Sequence, residues 1–239
     1  MRTIALIIGA CVLVGLSVLV GLMWWLGGVV GLIVALGIAF AILAIYALVI
    51  GPWQRRWGAT DEDVYMPMPG DDLLGWGAAS TTRAVTVAAR PHDIFPWLLQ
   101  IGYGRGGWYS YDWIDNDGSP SVDRIDPALQ RLTVGDRIEM MPGIGPVVRE
   151  IEPKHHILSG GATDSWCLLL DPRTDGTTRL ISRWRQRWPK TLAMHLWTAI
   201  VDPGAFLMEQ KMLRTIRYLA ERGDASQRKC SPPEPSAPF

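Results

Sequence analysis

The chain has 239 residues, with 23 basic and 23 acidic side chains and a formal net charge of zero. That balance creates no global field for nucleic acid or any other strongly charged partner, so nucleic-acid binding is excluded as a working expectation. Three cysteines, Cys11, Cys167 and Cys230, are scattered without a CxxC or metal-type spacing, which argues for unpaired thiols in a reducing compartment.

The charge is distributed unevenly. Between Arg2 and Arg55 there is no Asp, Glu, Lys, Arg or His. A domain facing water needs charged surface, so this segment reads as lipid-solvated. It is long enough for two crossings of about 20 residues each. Ile4 to Leu26 is predicted as a first span, Gly27-Gly28 as the turn, and Val29 to Ile50 as the second, giving a transmembrane hairpin over 1–52. Trp24-Trp25 would lie at one interface and Trp53 and Trp57 at the other. Arg2 and Arg55-Arg56 flank the two open ends of the hairpin. The positive-inside rule therefore puts both ends, and the following domain, on the cytoplasmic side of the cell membrane. Ile8-Gly9-Ala10-Cys11 loosely matches a lipoprotein cleavage site, but the apolar core before it is short and a second span follows. Glycines at 9, 15, 21, 27, 28, 31 and 37 offer a weak signal for helix packing and homo-oligomers.

Residues 53–80, rich in Gly, Pro, Met and Asp, read as an irregular linker. A strand is predicted over Thr82 to Ala88, then a helix opened by Pro91 and running through Ile94, Trp97 and Leu98 to Gly102. The aromatic, glycine-rich run Gly104 to Trp113 follows. Leu132 to Ile138 looks like a turn entering a strand, with further strands at Val147 to Ile151, Ser165 to Leu170 and Thr177 to Trp188. The last helix is predicted from Pro203 to Arg222, with Ala205, Met208, Met212, Ile216 and Leu219 on its apolar face. The tail over 223–239 reads as disordered.

Several strings between Thr81 and Glu221 carry a resemblance to a known superfamily: Trp97-Leu98-Leu99-Gln100-Ile101-Gly102, Gly107-Trp108-Tyr109-Ser110-Tyr111-Asp112, Gln130 to Asp136, Thr178 to Arg183, and Met208 to Leu213. They resemble an uncharacterised, membrane-anchored bacterial branch of the START-like, helix-grip superfamily (SRPBCC), which includes polyketide cyclases and lipid-transfer domains. The resemblance implies an α+β helix-grip fold over 81–222, in which a curved antiparallel sheet packs on a long C-terminal helix around an apolar cavity.

Along Thr177 to Trp188, Leu180, Ser182, Trp184 and Trp188 alternate with Arg179, Arg183, Arg185 and Arg187. The arginine ridge either meets anionic headgroups or, as the plainer expectation, pairs across strands with carboxylates such as Glu150 and Glu152. Trp108, Tyr109, Tyr111, Trp113, Trp97, Trp166 and Trp184 either line a pocket or fill the core. His155-His156 are read as strand neighbours on opposite faces, unable to chelate together, so no metal and no cofactor are expected. Asp112, Asp115 and Asp136 are acid-base candidates only if buried beside a cavity; turn chemistry explains Asp112 and Asp136 more simply. Leu192 to Met208 is too interrupted for a third span, and Leu196, Trp197 and Phe206 either touch the headgroup region as a lid or belong to a helix packed on the sheet.

The favoured reading is a membrane-tethered binding domain for a hydrophobic small molecule or lipid, with Trp97, Tyr109, Tyr111, Trp166, Trp184, Met208 and Met212 as ligand-binding residues. Catalytic residues are unassigned. The alternatives are a cyclase- or hydrolase-like enzyme and a non-enzymatic membrane scaffold.

Overall fold

The computed structural model describes residues 14–230 apart from 16, 22, 26, 76 and 188–190. Most of the expected first span, Trp188, the side chains of Leu196 and Trp197, and the tail beyond 230 lie outside the described residues. Among the described residues one helix is long and apolar enough to cross a membrane, Val29–Arg55. It comprises α1 (Val29–Ile45), a wider π-helical turn at Tyr46–Ile50, and α2 (Gly51–Arg55). Its 27 residues rise about 40 Å at 1.5 Å per residue, more than a ~30 Å hydrocarbon core requires.

The chain then turns through Gly58 and forms a single-turn helix, α3 (Asp61–Tyr65). Thr60 and Asp63 make a reciprocal capping box, with the Asp63 N–H donating to Thr60 Oγ1 and the Thr60 N–H donating to Asp63 Oδ2. Strand β1 (Ala79–Val87), helix α4 (Pro91–Leu99) and a short helix α5 (Asp112–Asp115) precede four more strands: β2 (Val147–Glu152), β3 (His156–Gly160), β4 (Asp164–Pro172) and β5 (Thr178–Gln186). Helix α6 (Leu192–Cys230) closes the described chain. The fold is α+β, with one antiparallel sheet in the order β1-β5-β4-β3-β2 and a C-terminal helix packed on it beside α4.

The sheet has two buried faces. Val85, Val87, Trp166, Leu168, Leu170 and Leu180 pack with α4 and the α6 residues Met212, Leu213, Ile216, Leu219 and Ala220. On the opposite face Ala84, Leu158, Cys167, Leu169 and Ile181 are covered by Met68, with Met66 and Ala59 alongside. Residues 57–75 therefore lie along the outer face of the sheet as a strap. Gly58 has φ 69, and a Cβ there would stand 2.2 Å from the Ala84 carbonyl oxygen, so this crossing requires glycine.

The arginine ridge holds that strap. Arg179 pairs with Asp63 at 2.6 Å, and Arg183 pairs with Asp71 at 2.6 Å while donating to the carbonyls of Met66, Asp63 and Val64. Arg185 and Arg187 donate to the carbonyls of Gly75 and Leu74. This corrects the expected pairing with Glu150 and Glu152. Strand order is the reason: β2 is the far edge, separated from β5 by β4 and β3.

Three further elements differ from the sequence expectation. Near Ile138 only an isolated bridge forms, Arg137 to Val147 at the start of β2, while β3 is a strand the sequence expectation lacks. Helix α6 starts eleven residues before Pro203 and continues through it, because proline removes a single backbone donor and Phe206 anchors the following turn between Trp53 (5.4 Å between ring centroids) and Trp57 (6.2 Å). Its buried face near that point carries Phe206, while Ala205 is exposed. Finally, His155 lies in the β2–β3 turn rather than in a strand, and its ring nitrogen Nδ1 comes 2.9 Å from that of His156.

Candidate functional site

The long segment between α4 and β2 is tied down by one amide. Gln100, fully buried, donates through Nε2 to the Tyr109 hydroxyl (2.7 Å) and to the Arg124 carbonyl (3.1 Å). Its Oε1 accepts from the Asp126 N–H (3.2 Å) and from Gln130 Nε2 (3.0 Å). A buried amide satisfied on both ends fixes the groups around it, and here it fixes where Tyr109 can stand. Burial pushes the Tyr109 hydroxyl up to about 12 despite the Gln100 hydrogen bond, so it stays a neutral phenol.

Tyr109 takes a left-handed backbone conformation, φ 55, uncommon for an aromatic residue. Its N–H donates to Ser121 Oγ (3.0 Å), and Ser121 in turn donates to Asp112 Oδ1 (2.5 Å). Gly107, at φ 85, makes this possible: a Cβ there would lie 2.3 Å from Ser121 Oγ. Asp112 and Asp115 are the first and last residues of α5, three positions apart and so on one side of a single helical turn.

Beside this loop, α6 contributes Lys211, Thr215, Tyr218, Leu219 and Arg222 to a cleft of about 270 Å³. The loop wall supplies Tyr109, Ser110, Asp112, Ser121, Val122 and Asp123. Lys211 stands with its ammonium 4.2 Å from the centre of the Tyr111 ring, a cation-π contact across the gap. Asp115 is buried behind Ser110 and Asp112, and neither its two carboxylate oxygens nor the Ser110 hydroxyl has a hydrogen-bond partner of ordinary geometry. Burial, reinforced by the neighbouring Asp112 charge, pushes the Asp115 carboxyl up to about 6, and the Ser110 hydroxyl, the residue's own backbone N–H and the Lys211 charge offset this only in part.

Of the residues expected to bind ligand, Tyr109 lines this cleft and Tyr111 flanks it through Lys211. Trp97 packs edge-on against Tyr109, 6.1 Å between centroids, with α4 behind it. Trp166 and Trp184 are directly paired across β4 and β5, 5.3 Å apart, and Trp108 stacks on Trp166 at 5.8 Å. The Trp166 indole N–H donates to Ser182 Oγ at 2.9 Å. Met212 is buried on α6 in the same apolar layer, and Met208 is half-buried one turn before it. The seven residues thus divide between the mouth of a cleft and the aromatic layer behind it.

Asp136 is a turn residue, accepting from the N–H and hydroxyl of Thr133. Gln100, Ser110, Ser121 and Lys211 were not singled out from the sequence. The glycine pair 106–107 before Tyr109 was the available signal for the serine, since such a pair permits close backbone approach.

No family model and no curated protein matches the chain. Solved structures show distant similarity, three of them as follows. One is a polyketide-cyclase-like protein of Corynebacterium glutamicum, at 13% identity over 65% of this chain and 97% of that one, with a TM-score of 0.35. The second is a conserved protein of unknown function from Enterococcus faecalis, at 11% identity over 64% of this chain and 88% of that one, TM-score 0.33. The third, from Rhizobium loti, is 14% identical over 58% of this chain and 96% of that one, TM-score 0.33.

Proposed function

We propose that the chain is a membrane-tethered binding protein whose domain accepts a hydrophobic small molecule or lipid carrying a hydrogen-bond-donating polar group. The observation that carries this reading is the cleft of Tyr109, Val122 and Leu219, lined by Ser110, with the buried Asp115 carboxyl behind it, Ser110 and Asp115 facing one another without a hydrogen bond of ordinary geometry to any other group. Leaving such groups unpaired costs about 1–3 kcal/mol each, a cost that a ligand donor would relieve. The helix Val29–Arg55 supports tethering, and the charge-free stretch before it supports the two-span, cytoplasm-facing arrangement. A tether raises the encounter rate with membrane-dissolved ligands, with effective concentrations in the millimolar range. The sequence resemblance to START-like domains, and a strand, helix, four strands and final helix in that order, agree with a ligand-holding role.

The test is native mass spectrometry of the full chain, extracted from membranes in mild detergent and exposed to lipid extract. One bound amphiphile per chain is expected, and it should be lost in Thr215→Trp, which fills the cleft. Absence of any adduct, or an adduct indifferent to that substitution, overturns the proposal. Recovery of the full chain in the soluble fraction after membranes are pelleted overturns the tether.

A second reading has its own observation. A carboxyl titrating near 6 behind a cleft is suited to general acid-base work close to neutral pH, which favours a cyclase- or hydrolase-like activity centred on Asp115. The same adduct experiment separates the two, since an enzyme returns chemically altered ligand and a binder returns it intact.

A further inference from the structure

The β2–β3 hairpin brings three metal-type ligand atoms together away from the cleft. Glu152 and His156 are directly opposite one another in the ladder and so share a face of the sheet. Between them the chain makes a tight turn, closed by the His155 N–H donating to the Glu152 carbonyl at 3.0 Å. Pro153 takes its second position, and Lys154, at φ 65, its third, the left-handed position of a type II turn. That reversal returns His155 to the face occupied by its neighbour. His155 Nδ1 lies 2.9 Å from His156 Nδ1 and 3.4 Å from Glu152 Oε2, and His156 Nδ1 lies 3.6 Å from the same oxygen.

Two sides of this triangle match a tetrahedral face around a zinc-type ion, and the third, a 2.9 Å hydrogen bond between the two rings, has to open by about half an ångström to admit one. Bonds of ~2.0–2.1 Å at tetrahedral angles separate ligand atoms by roughly 3.4 Å. A second observation is independent of the first. The His156 ring is 98% buried, with its other nitrogen, Nε2, facing Glu150 Oε1 at 3.3 Å and making no hydrogen bond. A ring whose Nδ1 joins the triangle while its Nε2 faces a carboxylate has the arrangement by which proteins orient a metal-bound histidine.

The geometry points to a divalent transition-metal site at this hairpin, of the zinc class, with Glu152, His155 and His156 as ligands and Glu150 as the residue that positions His156. Two imidazoles and one carboxylate suit zinc, nickel or copper over magnesium or calcium. Because Glu152 and His155 are exposed, the fourth coordination position faces solvent, the form taken by sites that hold water or a substrate atom. The same ion would pin the tip of an edge hairpin to the sheet.

The full chain, purified in detergent without a polyhistidine tag, is titrated with zinc chloride by calorimetry, and with cobalt(II) as an optical probe of four-coordination. One ion per chain and a visible cobalt spectrum are expected. Glu152→Gln and His155→Ala each lower affinity by more than about 100-fold, while Glu150→Gln lowers it about 10- to 100-fold with the cobalt spectrum retained but shifted. His156 is buried, so its substitution is avoided, and thermal unfolding of each metal-free variant verifies that the fold persists. No zinc taken up at one equivalent overturns the site. So does uptake unchanged in both Glu152→Gln and His155→Ala, which would place the ion elsewhere.

Discussion

Replacing Asp63 with alanine probes how strongly the strap is held to the sheet. The Asp63 carboxylate is completely buried, accepts from Arg179 through Nε at 3.3 and 3.1 Å and through Nη2 at 2.6 Å, and closes the capping box with Thr60. Burial alone would raise its pKa, but the Arg179 and Thr60 hydrogen bonds outweigh it and hold the carboxyl below its ordinary value. Its stabilising contribution is therefore fully present above the unfolded pKa, near 4, and is lost as pH falls through the depressed folded value. Breaking a buried pair from one side costs about 3–5 kcal/mol. Arg179 keeps Thr86 Oγ1 and the Gly58 carbonyl as partners and is 12% exposed, which places Asp63→Ala at the lower end, about 3 kcal/mol. For a chain of this size that corresponds to a fall in Tm of roughly 6–12 °C. The assay is thermal unfolding at pH 7 followed by tryptophan fluorescence, with the double variant Asp63→Leu, Arg179→Met alongside, which should lose less than Asp63→Ala because no charge is stranded. A loss under about 0.5 kcal/mol in Asp63→Ala, or a double variant worse than it, would refute the reasoning.

Asp115 carries the opposite sign. With its folded pKa raised to about 6, ionisation costs the fold about 3 kcal/mol at pH 7.5 and about 0.5 kcal/mol at pH 4, since one unit is worth 1.36 kcal/mol. Asp115→Asn should therefore raise Tm at pH 7.5 and leave it nearly unchanged at pH 4; equal effects at the two values would contradict the assignment. Gly107→Ala must push Ser121 away and hold φ 85, so a loss of about 1–3 kcal/mol is expected, together with faster amide exchange at Tyr109; an unaltered exchange pattern counts against the bridge. Trp166→Phe removes the hydrogen bond to Ser182 and shortens the stack with Trp108 and Trp184, and should cost about 1–3 kcal/mol. It should also collapse the near-ultraviolet circular dichroism of the tryptophans, and an unchanged spectrum would show that the rings are not coupled.

Much of the sheet could be read from alternation. In β5 Leu180, Ser182 and Trp184 alternate with Arg179, Arg183 and Arg185, with Ile181 the one apolar residue on the arginine side, which is enough to define a strand and its two faces. What those arginines touch could not be read, because their partners lie more than a hundred positions earlier, in a stretch whose composition resembles a linker. Strand β3 escaped for a different reason. Its five residues include histidine, serine and glycine and are all buried, so no polar face was left to produce a period. The His155-His156 geometry turns on the backbone sign at Lys154, a residue for which the left-handed conformation is not the expected one. In the candidate cleft, Tyr109 and Asp115 were visible as residue types worth weighing, but the roles of Gln100 and Ser121 depend on loops that close over 24 and 12 residues. Pattern along the chain carries no information about that closure.

The strap has a practical bearing on where this domain can be cut. If the chain were begun at Thr81, the five core residues on that side of the sheet would lose Met68 and with it their shield from water. Arg183, now 5% exposed, would be left with Thr82 as its remaining side-chain hydrogen-bond partner. The packed unit starts at about Trp57, two residues beyond the helix long and apolar enough to cross a membrane, so the two meet with almost no slack between them. Were that helix to enter a bilayer, its tilt would be transmitted directly to the body of the protein.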